Sequence, residues 1–268
     1  MMEEKKQYKG LVAFDLDNTL LDHESWQITP SALDAIDSLR ENGYLTALAT
    51  GRDMHGRHSQ QYLDILDVDA VIHMNGTGIE LHGEVLLDHV MDKELLRRFL
   101  DYCSAHGHAV GMDIGGLDYY TFPDKVTDHD LRFFGFCDRN YQDPYGLLEQ
   151  DVRALAYAGD TEGARELREQ FPELKILMFS ASTGADVFEA AYSKAEGIRF
   201  LCRELGIPED CTYAFGDSFN DLEMLEAAHV GIAVGNALPE VRERADYVAP
   251  PIAEDGVAKA LRHFGLIT

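Results

Sequence analysis

Polar side chains with chemical potential directly follow several short apolar runs of this sequence. Two acids, a hydroxyl and an amide stand at these positions, namely Asp15, Thr50, Asn75 and Asp217. Apolar runs that stop at polar or turn residues are typical of buried parallel strands. Because the ligand crevice of an open α/β sheet lies at the carboxyl ends of its strands, we expect the four side chains to converge. Such a group can hold a metal ion and an oxyanion together.

Two acid pairs add detail to this picture. Asp17 lies two residues after Asp15, so both carboxylates project to the same side while the chain stays extended. One of them could attack phosphorus and carry it covalently, while the other protonates the leaving alcohol and later activates water. Asp221 follows Asp217 by four residues and lies one turn into a predicted helix, 218–227, whose N-terminus favours negative charge. Each pair taken alone is weak evidence.

Strand and helix signals alternate on both sides of a long insertion. A helix begins after Thr29 with Pro30 in its first turn, and it ends at Asn42-Gly43. A second helix runs from Ser193 to Leu205. This alternation predicts a doubly wound parallel sheet, a Rossmann-like α/β core. The predicted strands are 11–14, 45–49, 70–74, 213–215 and 230–234.

More than a hundred residues between Gly76 and Ser193 follow a different rhythm. A helix near 92–106 precedes several strand-like stretches, which predicts an α+β module with a largely antiparallel sheet. We therefore expect a catalytic core formed by 1–83 and 188–268, with an inserted domain at 84–187. The strand-like stretches are 108–113, 117–122, 152–158, 175–180 and 186–189.

Composition narrows the range of partners. The chain of 268 residues has 23 Lys and Arg against 48 Asp and Glu, a formal charge of -25. This charge would repel a polyanion and argues against a nucleic-acid partner. No run approaches the ~18 apolar residues of a membrane span and the start is charged, so we expect a cytoplasmic protein without a membrane partner. Monomer and homodimer both stay open.

Four motifs occur in order along the chain: Asp15-Leu16-Asp17-Asn18-Thr19, Thr50-Gly51-Arg52, Lys194 and Gly216-Asp217-Ser218-Phe219-Asn220-Asp221. Together they resemble the motifs of the haloacid dehalogenase (HAD) superfamily. The similarity is to its Cof-type (subclass IIB) phosphatase branch and covers about 8–83 and 188–263. The insertion falls where that branch carries its larger α/β cap, the type C2 cap, which selects substrates.

The resemblance implies a Mg²⁺-dependent phosphatase that acts through an aspartyl-phosphate. Its substrate would be a small phosphorylated metabolite, either a sugar phosphate or a phosphorylated cofactor. Asp15 would be the nucleophile and Asp17 the general acid/base. The implied phosphate-binding residues are Thr50, Gly51, Lys194 and Asn220. The implied Mg²⁺ ligands are Asp15, Asp17 through its backbone carbonyl, Asp217 and Asp221. Further substrate contacts are expected from Arg52, Asn75 and Gly76.

The chain departs from the family pattern at two places. Asn18 stands where Gly is frequent, and Asn tolerates unusual backbone angles. Gly197, rather than the residue directly after Lys194, is the nearby glycine, and we expect it to provide flexibility.

Other functions are compatible with parts of this pattern. A phosphomutase would share every core residue named above. A dehalogenase would need neither Asp17 as an acid/base nor a metal held by Asp217. A non-catalytic sensor could bind a sugar phosphate or be phosphorylated at Asp15, although Asp17 would hasten loss of that signal. The sequence names neither the substrate nor the residues of the insertion that select it.

Overall fold

Residues 7–56, 59–133, 135–179 and 183–268 are described by a computed structural model. Within it the chain divides into two units. The first unit comprises Met1–Asp88 and Tyr192–Thr268, and the second comprises His89–Ala191. Each unit has its own sheet and its own hydrophobic core.

The elements follow one another in three blocks. Up to Asp88 they are β1 (Leu11–Phe14), β2 (Leu21–Asp22), β3 (Gln27–Ile28), α1 (Pro30–Glu41), β4 (Leu45–Ala49), α2 (Gln60–Ile65), β5 (Ala70–His73), β6 (Gly78–Leu81) and β7 (Glu84–Asp88). The second unit contains α3 (Lys93–His106), β8 (Ala109–Ile114), β9 (Leu117–Tyr120), α4 (Pro123–Phe133), β10 (Tyr141–Gln142), β11 (Leu155–Ala158), α5 (Thr161–Gln170), β12 (Leu174–Met178) and β13 (Gly184–Glu189). The chain ends with α6 (Lys194–Leu205), β14 (Thr212–Gly216), α7 (Leu222–Ala227), β15 (Val230–Ala233), α8 (Pro239–Arg244), β16 (Tyr247–Val248) and α9 (Gly256–His263).

The sheet of the first unit has the strand order β16-β15-β14-β1-β4-β5-β6-β7 among the described residues. Its strands are parallel from β16 to β5, and the hairpin of β6 and β7 continues it in antiparallel fashion. From β1 the chain winds to one side through β4 and β5, and later to the other side through β14 and β15. The predicted doubly wound α/β fold is therefore confirmed, and its topological switch point lies between β1 and β14.

Two of the predicted core helices, α1 and α6, are present with their predicted starts and stops, whereas the predicted helix 218–227 begins with a 3-10 turn at Phe219–Asp221 before α7. The Thr29 hydroxyl accepts a hydrogen bond from the Ala32 amide at 3.3 Å and caps α1. Ser193 caps α6 in the same way, through the Glu196 amide at 3.1 Å. Gly206 ends α6 in the left-handed conformation. None of the helices in the described part of the chain combines the length and apolar character needed to cross a membrane.

The sheet of the second unit has the order β10-β9-β8-β11-β13-β12, and only its β9–β10 pair is parallel among the described strands. The predicted, largely antiparallel α+β insertion is thus found. Sequence reasoning missed α4, α5 and the β6–β7 hairpin, while the predicted strand end at Ser180 lies outside the described residues.

The predicted domain boundaries fall close to the division between the two units. The expected inserted domain starts at residue 84, yet β7 pairs with β6 and extends the first sheet. The expected return to the core at 188 lies inside β13, which belongs to the second sheet. Strand pairing, which single-sequence periodicity does not reveal, accounts for both differences.

One predicted strand is shorter in the structure. Strand β5 ends at His73, and Met74–Gly76 form a 3-10 turn rather than continuing the strand. Met74 has a φ of 48° and Asn75 a φ of 55°, and both values are left-handed and incompatible with extended backbone.

Gly197 serves close packing of a helix on the sheet. A Cβ at this position would lie 2.5 Å from Cγ2 of Ile72 in β5. Since that distance is far below van der Waals contact, the absence of a side chain lets α6 approach β5. This steric requirement differs from the flexibility expected from the sequence.

We predict that Gly197→Ala lowers the free energy of unfolding by roughly 1–3 kcal/mol, the usual cost of over-packing. In an unobstructed helix the same change would stabilise by about 1 kcal/mol. Urea denaturation should show a smaller loss when Gly197→Ala is made in an Ile72→Ala background, because the obstructing atoms are then absent. Strictly additive effects of the two substitutions would contradict the proposed contact.

Candidate active site

Two acidic residues stand at the carboxyl ends of the neighbouring strands β1 and β14. Asp15 directly follows β1, and its amide donates to the Phe215 carbonyl of β14 at 2.9 Å. Asp217 directly follows β14. Both side chains are buried, with 4% and 7% of the residue surface exposed. The switch point of the sheet therefore brings the two acids together, as the strand pattern predicted.

Asp221 folds back onto the end of β14. Its Oδ2 accepts hydrogen bonds from the amides of Asp217 at 2.9 Å and Ser218 at 3.0 Å, the second of which forms a capping box. Gly216 makes this return possible, since a Cβ there would lie 2.4 Å from the Asp221 Cβ. Asp221 thereby becomes fully buried.

Lys194 is the cation of this acidic group. It is the first residue of α6 and is buried, and its Nζ donates to Oδ1 of Asp15 at 2.6 Å and to Oδ1 of Asp221 at 2.7 Å. Burial by itself lowers the pKa of Lys194, but the two carboxylates outweigh it and raise that pKa above its ordinary value. The ammonium group is therefore charged.

One carboxylate oxygen from each of Asp15, Asp217 and Asp221 lies within 4.8 Å of the other two. Burial, reinforced by the neighbouring carboxylates, raises the pKa of Asp15 to about 8 and that of Asp217 to about 9. A nearby positive charge would stabilise this buried cluster of carboxylates. Oxygen ligands are also those that a hard divalent cation prefers. The arrangement could hold a metal ion.

Asp17 has a different electrostatic environment. Arg52 donates from Nε to Oδ2 at 2.8 Å and from Nη2 to Oδ1 at 2.6 Å, and Nε2 of His23 lies 2.6 Å from Oδ1. Burial would raise the pKa of Asp17, but the hydrogen bonds from His23 and Arg52 prevail and lower it to about 2. The tight turn that presents Asp17 includes Asn18, whose φ of 56° agrees with the tolerance of Asn for unusual backbone angles.

Hydrogen bonds connect the segment around Thr50 to Arg52 and to Asn75. The buried Thr50 hydroxyl accepts from the Arg52 amide at 3.1 Å, and the Thr50 carbonyl accepts from the Asn75 amide at 3.0 Å. Gly51 is half-buried, whereas Asn75 and Gly76 are buried. A Cβ on Gly76 would lie 2.3 Å from the Ser193 carbonyl oxygen, so this turn joins the Thr50 segment to the start of α6.

The structure connects the sequence-predicted residues in two hydrogen-bonded groups. Lys194 links Asp15 with Asp221, and Arg52 links Asp17 with the Thr50 segment. Asn220 is half-buried and accepts from the Ser218 hydroxyl at 2.8 Å. Arg52, expected to contact substrate, has its guanidinium group on Asp17.

Sequence reasoning missed His23. The residue returns to Asp17 because β2 and β3 form a short hairpin, in which the Asp22 carboxylate accepts from the Glu24 amide at 3.0 Å and the Ser25 hydroxyl at 2.7 Å. Asp followed by Ser three residues later is a turn signal that could have located this hairpin.

A family model described as "haloacid dehalogenase-like hydrolase" matches residues 12–261. The chain belongs to this family. YkrA from Bacillus subtilis (strain 168) is 30% identical over 262 residues, covering 96% of this chain and 98% of that protein. The 5-amino-6-(5-phospho-D-ribitylamino)uracil phosphatase YcsE of the same organism is 29% identical over 259 residues, 96% of each chain. The solved structure of the HAD subclass IIB sugar phosphatase BT4131 superposes with a TM-score of 0.84 at 27% identity, covering 96% of this chain and 100% of that one.

These matches extend across both units and agree with the order of the four motifs. The protein is a HAD-type phosphatase, a phosphoric monoester hydrolase of the Cof-type, subclass IIB group. Its buried acidic cluster could hold a metal ion, as expected of such an enzyme.

We predict that Asp217→Asn stabilises the metal-free protein at alkaline pH. The folded-state pKa of Asp217, about 9, lies above its unfolded value of about 3.9, so this carboxyl withdraws stability as pH rises between the two values. In EDTA at pH 9 the variant should melt at least about 3 °C higher than the wild type, the shift that ~1 kcal/mol produces in a domain of this size. At pH 4 the difference should vanish.

Two controls accompany this measurement. Glu243→Gln removes an exposed carboxylate of the same unit and should leave the melting profile unchanged. Added Mg²⁺ should raise the melting temperature of the wild type at pH 9 more than that of Asp217→Asn. A variant that is less stable than the wild type in EDTA at every pH would contradict the assignment.

Proposed function

We propose that this phosphatase hydrolyses a small phosphorylated metabolite through an aspartyl-phosphate on Asp15, with Mg²⁺ as cofactor. The observation that carries the proposal is the contact of the buried Lys194 ammonium with both Asp15 and Asp221, beside Asp217. A carboxylate and a phosphate dianion repel each other, so nucleophilic attack requires concentrated positive charge at this place. Lys194 supplies part of that charge from within the chain.

In the first half-reaction, a carboxylate oxygen of Asp15 attacks phosphorus and the bond from phosphorus to the ester oxygen breaks. The departing oxygen takes a proton from Asp17. In the free site Asp17 is ionised, because His23 and Arg52 lower its pKa to about 2. The incoming phosphate brings negative charge close to Asp17 and raises that pKa, so Asp17 takes up the proton it delivers.

In the second half-reaction, Asp17 returns to its carboxylate form and acts as a base. It accepts a proton from water as the water oxygen attacks phosphorus, and the bond from phosphorus to Asp15 breaks. Inorganic phosphate leaves and Asp15 is restored. Lys194 offsets the charge of the phosphoryl oxygens in both halves, while Thr50, Gly51 and Asn220 are assigned to their hydrogen bonding.

Asp15, Asp217 and the backbone carbonyl of Asp17 are assigned to direct binding of Mg²⁺. The all-oxygen character of this set suits Mg²⁺, which also retains several waters. When bound, Mg²⁺ supplies Lewis-acid stabilisation of the phosphoryl oxygens. One carboxylate oxygen of Asp221 accepts hydrogen bonds from two backbone amides, and the other accepts one from Lys194. We therefore assign Asp221 to positioning Lys194 and the turn that carries Asp217.

We assign the substrate to phosphate monoesters that release an alcohol. This class includes sugar phosphates and phosphorylated cofactors. The names of similar proteins, a sugar phosphatase and a phosphatase for a ribitylamino-uracil phosphate, support this range. We assign substrate selection to the inserted unit, since the clustered catalytic residues all lie in the first unit and the insertion has an independent core.

Asp15→Asn should abolish phosphate release while leaving the fold intact, because the amide is nearly isosteric but a poor nucleophile. Asp17→Asn should slow turnover by ~10²–10⁴-fold, the usual contribution of a general acid/base. Both are measured as inorganic phosphate released from a panel of phosphate esters with Mg²⁺. Asp34→Asn, an exposed acid of α1, is the matched control.

Near-normal phosphate release by Asp15→Asn would overturn the covalent mechanism. Products identified by phosphorus NMR would separate hydrolysis from a mutase reaction, since a mutase returns an isomerised ester instead of free phosphate.

Replacing 89–191 by a short linker should impair hydrolysis of the best ester of the panel far more than that of p-nitrophenyl phosphate, because remote contacts with the leaving group are lost. The comparison uses kcat/KM for each ester, after near-UV circular dichroism and Mg²⁺-dependent melting have established that the shortened chain is folded. Equal losses for both esters in a folded protein would refute the role assigned to the insertion.

A further inference from the structure

A two-stranded hairpin, β2 and β3, carries a histidine and a tryptophan to the side chain of Asp17. From this geometry we propose that His23, supported by Trp26, is a positioning residue that makes Oδ2 of Asp17 the oxygen that exchanges the proton with the leaving group. The inference rests on the proposed function, because it concerns how the general acid is oriented. It concerns two residues that the four sequence motifs do not include.

The hydrogen bonds to Asp17 are unevenly shared between its two oxygens. Oδ1 accepts from Nη2 of Arg52 at 2.6 Å and from Nε2 of His23 at 2.6 Å, whereas Oδ2 accepts from Nε of Arg52 at 2.8 Å. A carboxylate oxygen has about two lone pairs for hydrogen bonds. His23 therefore fills the second lone pair of Oδ1 and leaves one on Oδ2. Without His23, each of the two oxygens would accept one hydrogen bond from Arg52 and keep one lone pair.

The hairpin is built to present His23 in this orientation. Leu21 pairs with Ile28 and Asp22 with Gln27, and the Trp26 amide donates to the Asp22 carbonyl at 2.7 Å. The Asp22 carboxylate closes the turn through the Glu24 and Ser25 hydrogen bonds. The proton on the His23 ring lies on Nε2, since the carboxylate can only accept.

Trp26 supports the imidazole from its face. The two rings stack with centroids 4.7 Å apart and an interplanar angle of 16°. Trp26 is 59% exposed and has a φ of 55°, an unfavourable conformation for a bulky side chain. Burial in the core does not account for such a residue, whereas the stack on His23 gives it a function.

If His23 positions Asp17 for proton transfer, the effect of replacing it depends on the leaving group. A purely structural role of His23 would affect all esters alike. A phenolate of low basicity departs without help, whereas a basic phenolate needs the proton from Asp17 as the bond from phosphorus to oxygen breaks. We therefore compare 4-nitrophenyl phosphate with 4-methoxyphenyl phosphate, which differ in leaving-group basicity more than in size. The quantity measured is kcat/KM, because it reports the steps up to release of the phenol.

His23→Leu should lower kcat/KM for 4-methoxyphenyl phosphate about tenfold or more and for 4-nitrophenyl phosphate less than threefold, in keeping with the cost of misplacing a catalytic group. His23→Gln should recover most of the loss, because its side-chain amide can donate to Oδ1. Trp26→Ala should lower the ratio of kcat/KM for 4-methoxyphenyl phosphate to kcat/KM for 4-nitrophenyl phosphate. Trp26→Phe should retain that ratio. His263→Leu is the matched control, since His263 stacks on Tyr247 at 4.6 Å and 14° elsewhere in the same unit.

Two kinds of result would overturn the proposal. Equal losses for the two esters in His23→Leu, with Asp17→Asn still selective against the methoxyphenyl ester, would refute a role of His23 in proton transfer while preserving the function of Asp17. Unchanged selectivity in Asp17→Asn itself, or no turnover of either ester by the wild type, would overturn the proposed function and this inference with it.

Discussion

The buried ion pairs of Lys194 are the interaction on which the rest of the site depends. Three ionised carboxylates are costly to bury together without a nearby cation, and removal of one partner from a buried ion pair typically costs 3–5 kcal/mol. Lys194 contacts Asp15 and Asp221 at the same time, so it connects the ends of β1 and β14 with the first residue of α6. Two close approaches serve this connection. Gly216 admits the carboxylate of Asp221, and Gly197 lets α6 lie against β5.

Much of this arrangement could be predicted from the sequence because its geometry follows from chain direction. Parallel strands end at the same edge of a sheet, so Asp15 and Asp217 had to converge once their strands were identified. The starts of α1 and α6 were equally predictable, since Thr29 and Ser193 are capping residues that act within one turn.

Other features depend on contacts that periodicity does not encode. The β6–β7 hairpin extends the first sheet through strand pairing, and its residues carry no sign of which sheet they join. Gly197 looked like a source of flexibility until its distance to Ile72 was known. The pairing of the Arg52 guanidinium with Asp17 is another contact of this kind, since a sequence does not specify which of several acids an arginine will reach.

The contrast between Asp15 and Asp17 explains how two acids separated by one residue can perform different tasks. Asp15 is surrounded mainly by buried carboxylates, and burial together with Asp221 raises its pKa despite Lys194. Asp17 faces Arg52 and His23, which lower its pKa. Opposite environments of this kind are how one fold assigns separate roles to chemically identical groups. In the mechanism proposed above, the positive charges of a metal ion and of Lys194 would stabilise the Asp15 carboxylate, whereas Asp17 would stay an anion until the negative charge of a bound substrate raised its pKa.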